Sequence, residues 1–358
     1  MNLEHLNKLL EVGVKNHTSD IHLKPGRAPL FRVNGDLKEI RAPKLTPEDT
    51  LKIVQGMLGN VANAPDLHAI TEYDMSYALA DVGRFRVNIF RQRGALEIIM
   101  RIIPIEIPSF AQLGLPPVME KIASLPRGLI LVTGITGSGK SSTLAAIIDH
   151  INTHRQEHIL TLEDPIEFVH QDKRSSVSQR EIGTDSHDFA SALRGALRQD
   201  PDVILIGEMR DFETIDIALK AAETGHLVLS TVHTTDAART IGRLVGVFPS
   251  NLQDSARIRI AENLKASISQ RLLPRADGQG RVAAAEIMVT NLMVEECIRD
   301  AEKTPRIKDV ISRGKQDVGS QTFDQHLSEL YQKQLITLDT AKSAATNPAD
   351  FERALAFE

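Results

Sequence analysis

At 358 residues the chain exceeds the size at which a single hydrophobic core stops growing, so two domains are expected. A 42% hydrophobic content excludes a largely disordered chain, and a formal net charge of −5 argues against bulk nucleic acid as the main partner. The one cysteine, Cys297, excludes an internal disulfide and a cysteine-cluster zinc site, which fits a reducing compartment.

Leu3, Leu6, Leu9 and Leu10 recur at helical spacing, so the chain opens with an amphipathic helix. That stretch carries neither the apolar core nor the cleavage site of a signal peptide. No apolar run approaches the roughly 20 residues that span a bilayer. The expectation is a soluble, cytoplasmic protein; docking onto a membrane complex needs no span and stays open. Short β-type runs follow at Ile21–Leu23, Pro29–Val33 and Leu37–Ile40, with Asn34-Gly35 as a hairpin turn. Thr46-Pro47-Glu48-Asp49 combines an N-cap, a first-turn proline and early acids, the signature of a helix start. Strands are expected at Tyr73–Leu79, Phe85–Phe90 and Leu96–Ile103, so residues 1–103 read as a small α+β domain with an antiparallel sheet.

Pro104, Pro108, Pro116 and Pro117 suit neither sheet nor helix, and residues 104–118 read as a linker. Beyond it, apolar strands at Leu129–Val132, Ile159–Leu162, Val203–Ile206 and Leu227–Val232 alternate with helical segments at 141–152, 188–199, 211–224 and 236–247. Near-continuous apolar strands separated by helices indicate a parallel sheet covered on both faces, an α/β domain over residues 119–358. From Asn251 onward the pattern is mostly helical, apart from a strand at Val282–Val289.

Gly134-Ile135-Thr136-Gly137-Ser138-Gly139-Lys140-Ser141 fits G-x-x-x-x-G-K-[ST], with a strand before it and a helix from Ser142 after it. Its glycines let successive N–H groups turn toward a phosphate, and the helix N-terminus adds positive charge there. Lys140 then reaches the β- and γ-phosphates of ATP and the Ser141 hydroxyl ligates Mg²⁺.

Hydrolysis also needs a base and a carboxylate near the metal. Glu163 and Glu208 each follow an apolar strand, and in a parallel sheet all C-terminal strand ends open on one edge. Glu163 is assigned as the base and Glu208 to the Mg²⁺ shell, although the spacing also allows the roles to be exchanged. Any one such acid could simply cap a helix; two beside a phosphate loop argue for chemistry. His226 and His233 flank one strand and lie roughly 23 Å apart, too far to share a metal. His233 faces the nucleotide edge as a candidate γ-phosphate sensor, while His226 is at the far end, where packing or an interface role serves as well. Arg194 and Arg198 share a helix face. Arg86 alternates with apolar residues, and Arg101 interrupts an apolar strand and needs an anionic partner.

Together with Ser19-Asp20-Ile21-His22-Leu23, Leu162-Glu163-Asp164-Pro165, Gly207-Glu208-Met209-Arg210 and the histidine stretch from Gly225 to Thr234, these motifs cover nearly the whole chain. The chain resembles the type IV pilus retraction (twitching-motility, PilT/PilU-type) ATPases of the type II/IV secretion ATPase superfamily. The resemblance implies a PAS-like first domain and a RecA-like second domain, a homohexameric ring with ATP between subunits, and work on the inner-membrane platform protein of the pilus base. It also implies Glu163 as catalytic glutamate and Glu208 as Walker B acid. Arg86 and Arg101 would approach the phosphates from the first domain, with Arg194 and Arg198 near the nucleotide or interface, and the stretch carrying His226 and His233 resembles the family's histidine box. Ile135 stands where the family usually has proline. Met293–Asp300 departs from the family's late A-I-R-N-L-I-R-E stretch, keeping only the isoleucine and the arginine-acid ending. An accessory retraction paralogue and a pilus-assembly or type II secretion ATPase are the alternatives. A nucleic-acid-dependent RecA-like motor fits the acidic charge less well.

Overall fold

Period-two alternation builds the first sheet. The computed structural model describes residues 2–33, 35–59, 65–80, 82–103 and 106–355. Residues 1–106 with 167–169 form one unit, and residues 107–166 with 170–358 form the other. In the first unit the strands β1 (Asp20–Leu23), β2 (Leu30–Val33), β3 (Asp36–Glu39), β4 (Glu72–Leu79), β5 (Gly83–Gln92) and β6 (Ala95–Ile103) pair in the order β3-β2-β1-β6-β5-β4. Every neighbouring pair is antiparallel.

Phe85, Val87 and Ile89 of β5 and Ile98 and Met100 of β6 point to one face. There they meet Leu6 and Leu10 of α1 (Leu3–Lys15) and Ile53 and Val54 of α2 (Pro47–Leu58). Helix α2 starts in a full capping box: the Thr46 hydroxyl accepts the Asp49 N–H, and Asp49 accepts the Thr46 N–H. Val33 pairs with Asp36 across the expected hairpin, with Gly35 at φ +91°, while Asn34 lies outside the described residues.

In the second unit β7 (Gly128–Thr133), β8 (His158–Glu163), β9 (Ser176–Glu181), β10 (Val203–Ile206), β11 (Leu227–Val232), β12 (Leu264–Pro274) and β13 (Arg281–Val289) are ordered β13-β12-β7-β11-β10-β8-β9. All neighbours are parallel except β12 with β13. Leu129, Ile130, Leu131 and Val132 of β7 are fully buried, each contributing about 2 kcal/mol of transfer free energy. Apolar clusters cover both faces, with α3 (Val118–Ala123) and α4 (Lys140–His154) on one side. On the other lie α5 (Phe189–Ala196), α6 (Phe212–Glu223), α7 (Ala237–Gly246) and α8 (Gln253–Asn263). Helices α9 (Leu292–Arg299) to α13 (Pro348–Leu355) complete this unit.

Two strands depart from the sequence reading. Strand β9 lies where no element was expected, and β12 occupies a stretch read as helical. Both carry polar side chains at positions the sheet buries or half-buries, which erases the apolar signature of a strand. Phe110 and Leu115, within the proline-bearing stretch, are buried in the second unit's core. Among the described residues no helix is long and apolar enough to cross a membrane.

Candidate active site

Strand β7 delivers Gly134 to the C-terminal edge of the sheet, and α4 leaves that edge at Lys140. Gly134, Gly137 and Gly139 take φ of +145°, +77° and +92°, values open to glycine and costly for other residues. A Cβ on Gly134 would stand 2.4 Å from the Ser138 Oγ and 2.6 Å from the Gln270 carbonyl oxygen, so close approach as well as φ demands glycine there. Gly139 caps α4 without a side chain, leaving the first helical N–H groups open to the loop. The Lys140 ammonium donates to the Gly134 and Ile135 carbonyls, both at 3.0 Å, and is 9% exposed. Ser138 is buried and its Oγ has no protein partner, Ile135 and Thr136 are exposed, and Ser141 and Ser142 are half-buried on the first turn of α4.

Register aligns the other strand ends with this loop. Leu162 of β8 pairs with Ile206 of β10, Ile206 with Ser230 of β11, and Ser230 with Leu131 of β7. Glu163, Glu208 and His233 therefore leave the sheet at the same edge as Gly134. Glu208 and His233 come from β10 and β11, the strands between β8 and β7. One Glu208 oxygen pairs with the Arg210 guanidinium at 2.7 Å, and the other lies 3.4 Å from His233 Nε2. Burial disfavours the Glu208 carboxylate, but the Arg210 hydrogen bond and the charges of His233, Arg210 and Lys140 outweigh it. The net result holds its carboxyl below the ordinary value, and Lys140 is close enough to take part.

Glu163 emerges three strands from β7, about 14 Å across the sheet at about 4.8 Å per strand. Its Oε1 accepts from the Thr161 hydroxyl at 2.6 Å and from the Gln179 amide at 3.2 Å. The loop, Glu208, His233 and Glu163 thus line one edge of the sheet.

Five of the expected residues are elsewhere or otherwise engaged. His226 is at the opposite end of β11, its Nδ1 2.9 Å from the Ala221 carbonyl, so within this unit it does not reach the loop. Arg194 pairs with Glu213 of α6, and Arg198 donates to the Arg194 carbonyl. In the first unit Arg86 and Arg101 are direct cross-strand neighbours on β5 and β6. Arg101 is exposed, so burial does not force a partner on it; its guanidinium nonetheless bonds to Asp20 at 2.9 Å, with Arg32 3.7 Å from the same carboxylate. Sequence reasoning missed Arg210, Thr161 and Gln179 as neighbours of the acids. Arg210 follows Glu208 by two positions and was visible in the motif, whereas Gln179 becomes a neighbour only through the unrecognised strand β9.

The chain matches the model of the type II/IV secretion system protein family over residues 2–349. It is 43% identical over 346 residues to the type IV pilus retraction ATPase PilT of Pseudomonas aeruginosa, a match spanning 97% of this chain and 99% of that protein. To the type IV pilus ATPase PilU of the same organism it is 38% identical, over 96% of this chain and 89% of that one. A crystal structure of the pilus retraction motor PilT with bound ADP superposes with a TM-score of 0.88 at 44% identity, covering 97% and 99% of the two chains. With its RecA-like P-loop unit preceded by a small PAS-like α+β unit, the chain belongs to the type II/IV secretion system protein family.

Proposed function

We propose that the protein is an ATP-hydrolysing motor that retracts type IV pili, working as a cytoplasmic homohexamer on the platform protein of the inner-membrane pilus base. The carrying observation is the convergence of Lys140 and Glu208 beside the glycine loop, in a chain similar along its whole length to a retraction ATPase.

The loop N–H groups and Lys140 bind and orient the β- and γ-phosphates. Moving its ammonium from the Gly134 and Ile135 carbonyls to phosphate oxygens costs little, because both partners are acceptors at the same loop. Ser141 and Glu208 fit Mg²⁺: a hydroxyl and an ionised carboxylate are hard oxygen donors, and the remaining positions fall to phosphate and water. The ion, when bound, neutralises charge on the phosphates.

Glu163 orients the attacking water and takes its proton. The water oxygen bonds to the γ-phosphorus, the bond to the β-bridging oxygen breaks, and ADP and phosphate leave. The Arg210 clamp on Glu208 supports this division of roles: a carboxylate held ionised by a guanidinium is a poor proton acceptor. Arg86 and Arg101 are assigned to charge stabilisation at the transferring phosphate, a role that Arg86→Ala tests as lost turnover with retained nucleotide binding.

The test of the motor function is deletion of the gene in its host with counting of surface pili. Cells that keep excess pili but no longer twitch support retraction; bald cells assign the protein to pilus assembly instead.

A further inference from the structure

Strand β9 sits at the sheet edge beside β8, and its side chains serve the site more than the core. Thr161 pairs in register with Gln179, and Glu163 with Glu181. Successive side chains alternate between faces, so all four residues share one face of the two strands. Gln179 and Glu181 each accept a backbone N–H from the segment that follows Glu163. The Gln179 carbonyl accepts His170 N–H at 2.8 Å, and Glu181 accepts Ile166 N–H at 3.1 Å.

The Gln179 amide can therefore be oriented by chemistry alone. A backbone N–H only donates, so the atom facing His170 is Oε1, and Nε2 is left to point at Glu163. With Thr161 donating as well, both contacts on Glu163 Oε1 are donors. They hold that oxygen of the carboxylate in place from the face shared by β8 and β9.

The geometry points to Gln179, assisted by Thr161, as a positioning residue for hydrolysis: it aims the Glu163 carboxylate at the attacking water while anchoring the segment after it. This inference rests on the assignment of Glu163 as base. Gln179 touches neither substrate nor reacting atoms and acts through Glu163. A base displaced by a fraction of an ångström loses its approach to water, whereas nucleotide affinity, set at the loop, is untouched.

The test is steady-state ATP turnover of the full-length protein, with kcat and KM for ATP separated. Gln179→Met keeps the side-chain length and loses both hydrogen bonds, and is expected to lower kcat roughly 10- to 100-fold with KM for ATP within about 2-fold. Thr161→Val, which preserves shape, lowers kcat in the same way with KM for ATP little changed. Gln179→Glu keeps an acceptor for His170 and lacks the donor, so it remains impaired; recovery of wild-type kcat in Gln179→Glu would assign the residue to loop anchoring alone and overturn the proposal. In a Glu163→Gln background, Gln179→Met should add no further loss, and a full additional loss would also overturn it. An inactive Glu163→Gln beside fully active Gln179→Met and Thr161→Val refutes the positioning role and leaves the base assignment standing. Wild-type turnover in Glu163→Gln brings down both.

Discussion

Glu286 provides a pH-dependent test of the packing that carries the His233 loop. It lies on β13, is 4% exposed, and its Oε1 accepts the Ala237 N–H that opens α7 at 2.9 Å. Burial is the main force pushing its carboxyl up from 4.5 to about 7, with the Ala237 bond opposing, Asp236 adding, and Lys308 and Arg271 opposing. Between those two values the folded protein holds a proton that the unfolded chain has released. Stability from this group is therefore complete below pH 4.5 and is lost as pH rises through about 7. A shift of that size corresponds to roughly 3 kcal/mol. Glu286→Gln removes the titration and keeps an oxygen for Ala237, so its stability relative to wild type should improve as pH rises. For a domain of this size each kcal/mol moves Tm by roughly 2–4 °C. The Tm difference, variant minus wild type, should thus widen by roughly 5–10 °C between about pH 5 and about pH 8. Thermal melts of nucleotide-free protein at constant concentration and ionic strength measure it. A constant offset from the added amide N–H groups drops out of this comparison. A difference that does not change with pH would refute the reasoning.

Two further predictions concern the loop. Lys140→Ala removes the buried ammonium, and ATP affinity measured by calorimetry should fall at least roughly 10- to 100-fold, as expected for loss of charged hydrogen bonds. Gly134→Ala places a Cβ 2.4 Å from the Ser138 Oγ and 2.6 Å from the Gln270 carbonyl oxygen, at a φ of +145°. It should weaken ATP binding by roughly 10-fold or more and lower Tm; unchanged binding would show that the loop does not need its observed path.

The parts of the site legible in sequence are those encoded over a few residues. The Gly134–Ser141 spacing fixes a backbone turn and a charge at its end, and Thr46-Pro47-Glu48-Asp49 specifies a helix start through its own hydrogen bonds. Elements whose logic is long-range were not legible. Strand β12 is an interior strand, yet it buries Ser267, Ser269 and Gln270; Ser269 accepts from Thr133 on the neighbouring β7 and Gln270 donates to Thr143 on α4, so polar residues replace the apolar run that would mark a strand. Strand β9 reads SVSQRE because Gln179 and Glu181 meet Glu163 and the segment after it, while only Val177 packs against the core. Asp20 emerges as the partner of Arg101 only when β1 pairs with β6. The contact between His233 and Glu208 likewise depends on the register of β10 and β11.

The central claim is that a phosphate loop and the acids at neighbouring strand ends act on one bound triphosphate. ATP binding and ATP hydrolysis measured on a single preparation of Glu163→Gln test it most directly. The account predicts ATP held with wild-type affinity and turnover reduced at least roughly 100-fold, the scale of a lost general base. Hydrolysis at the wild-type rate would contradict it.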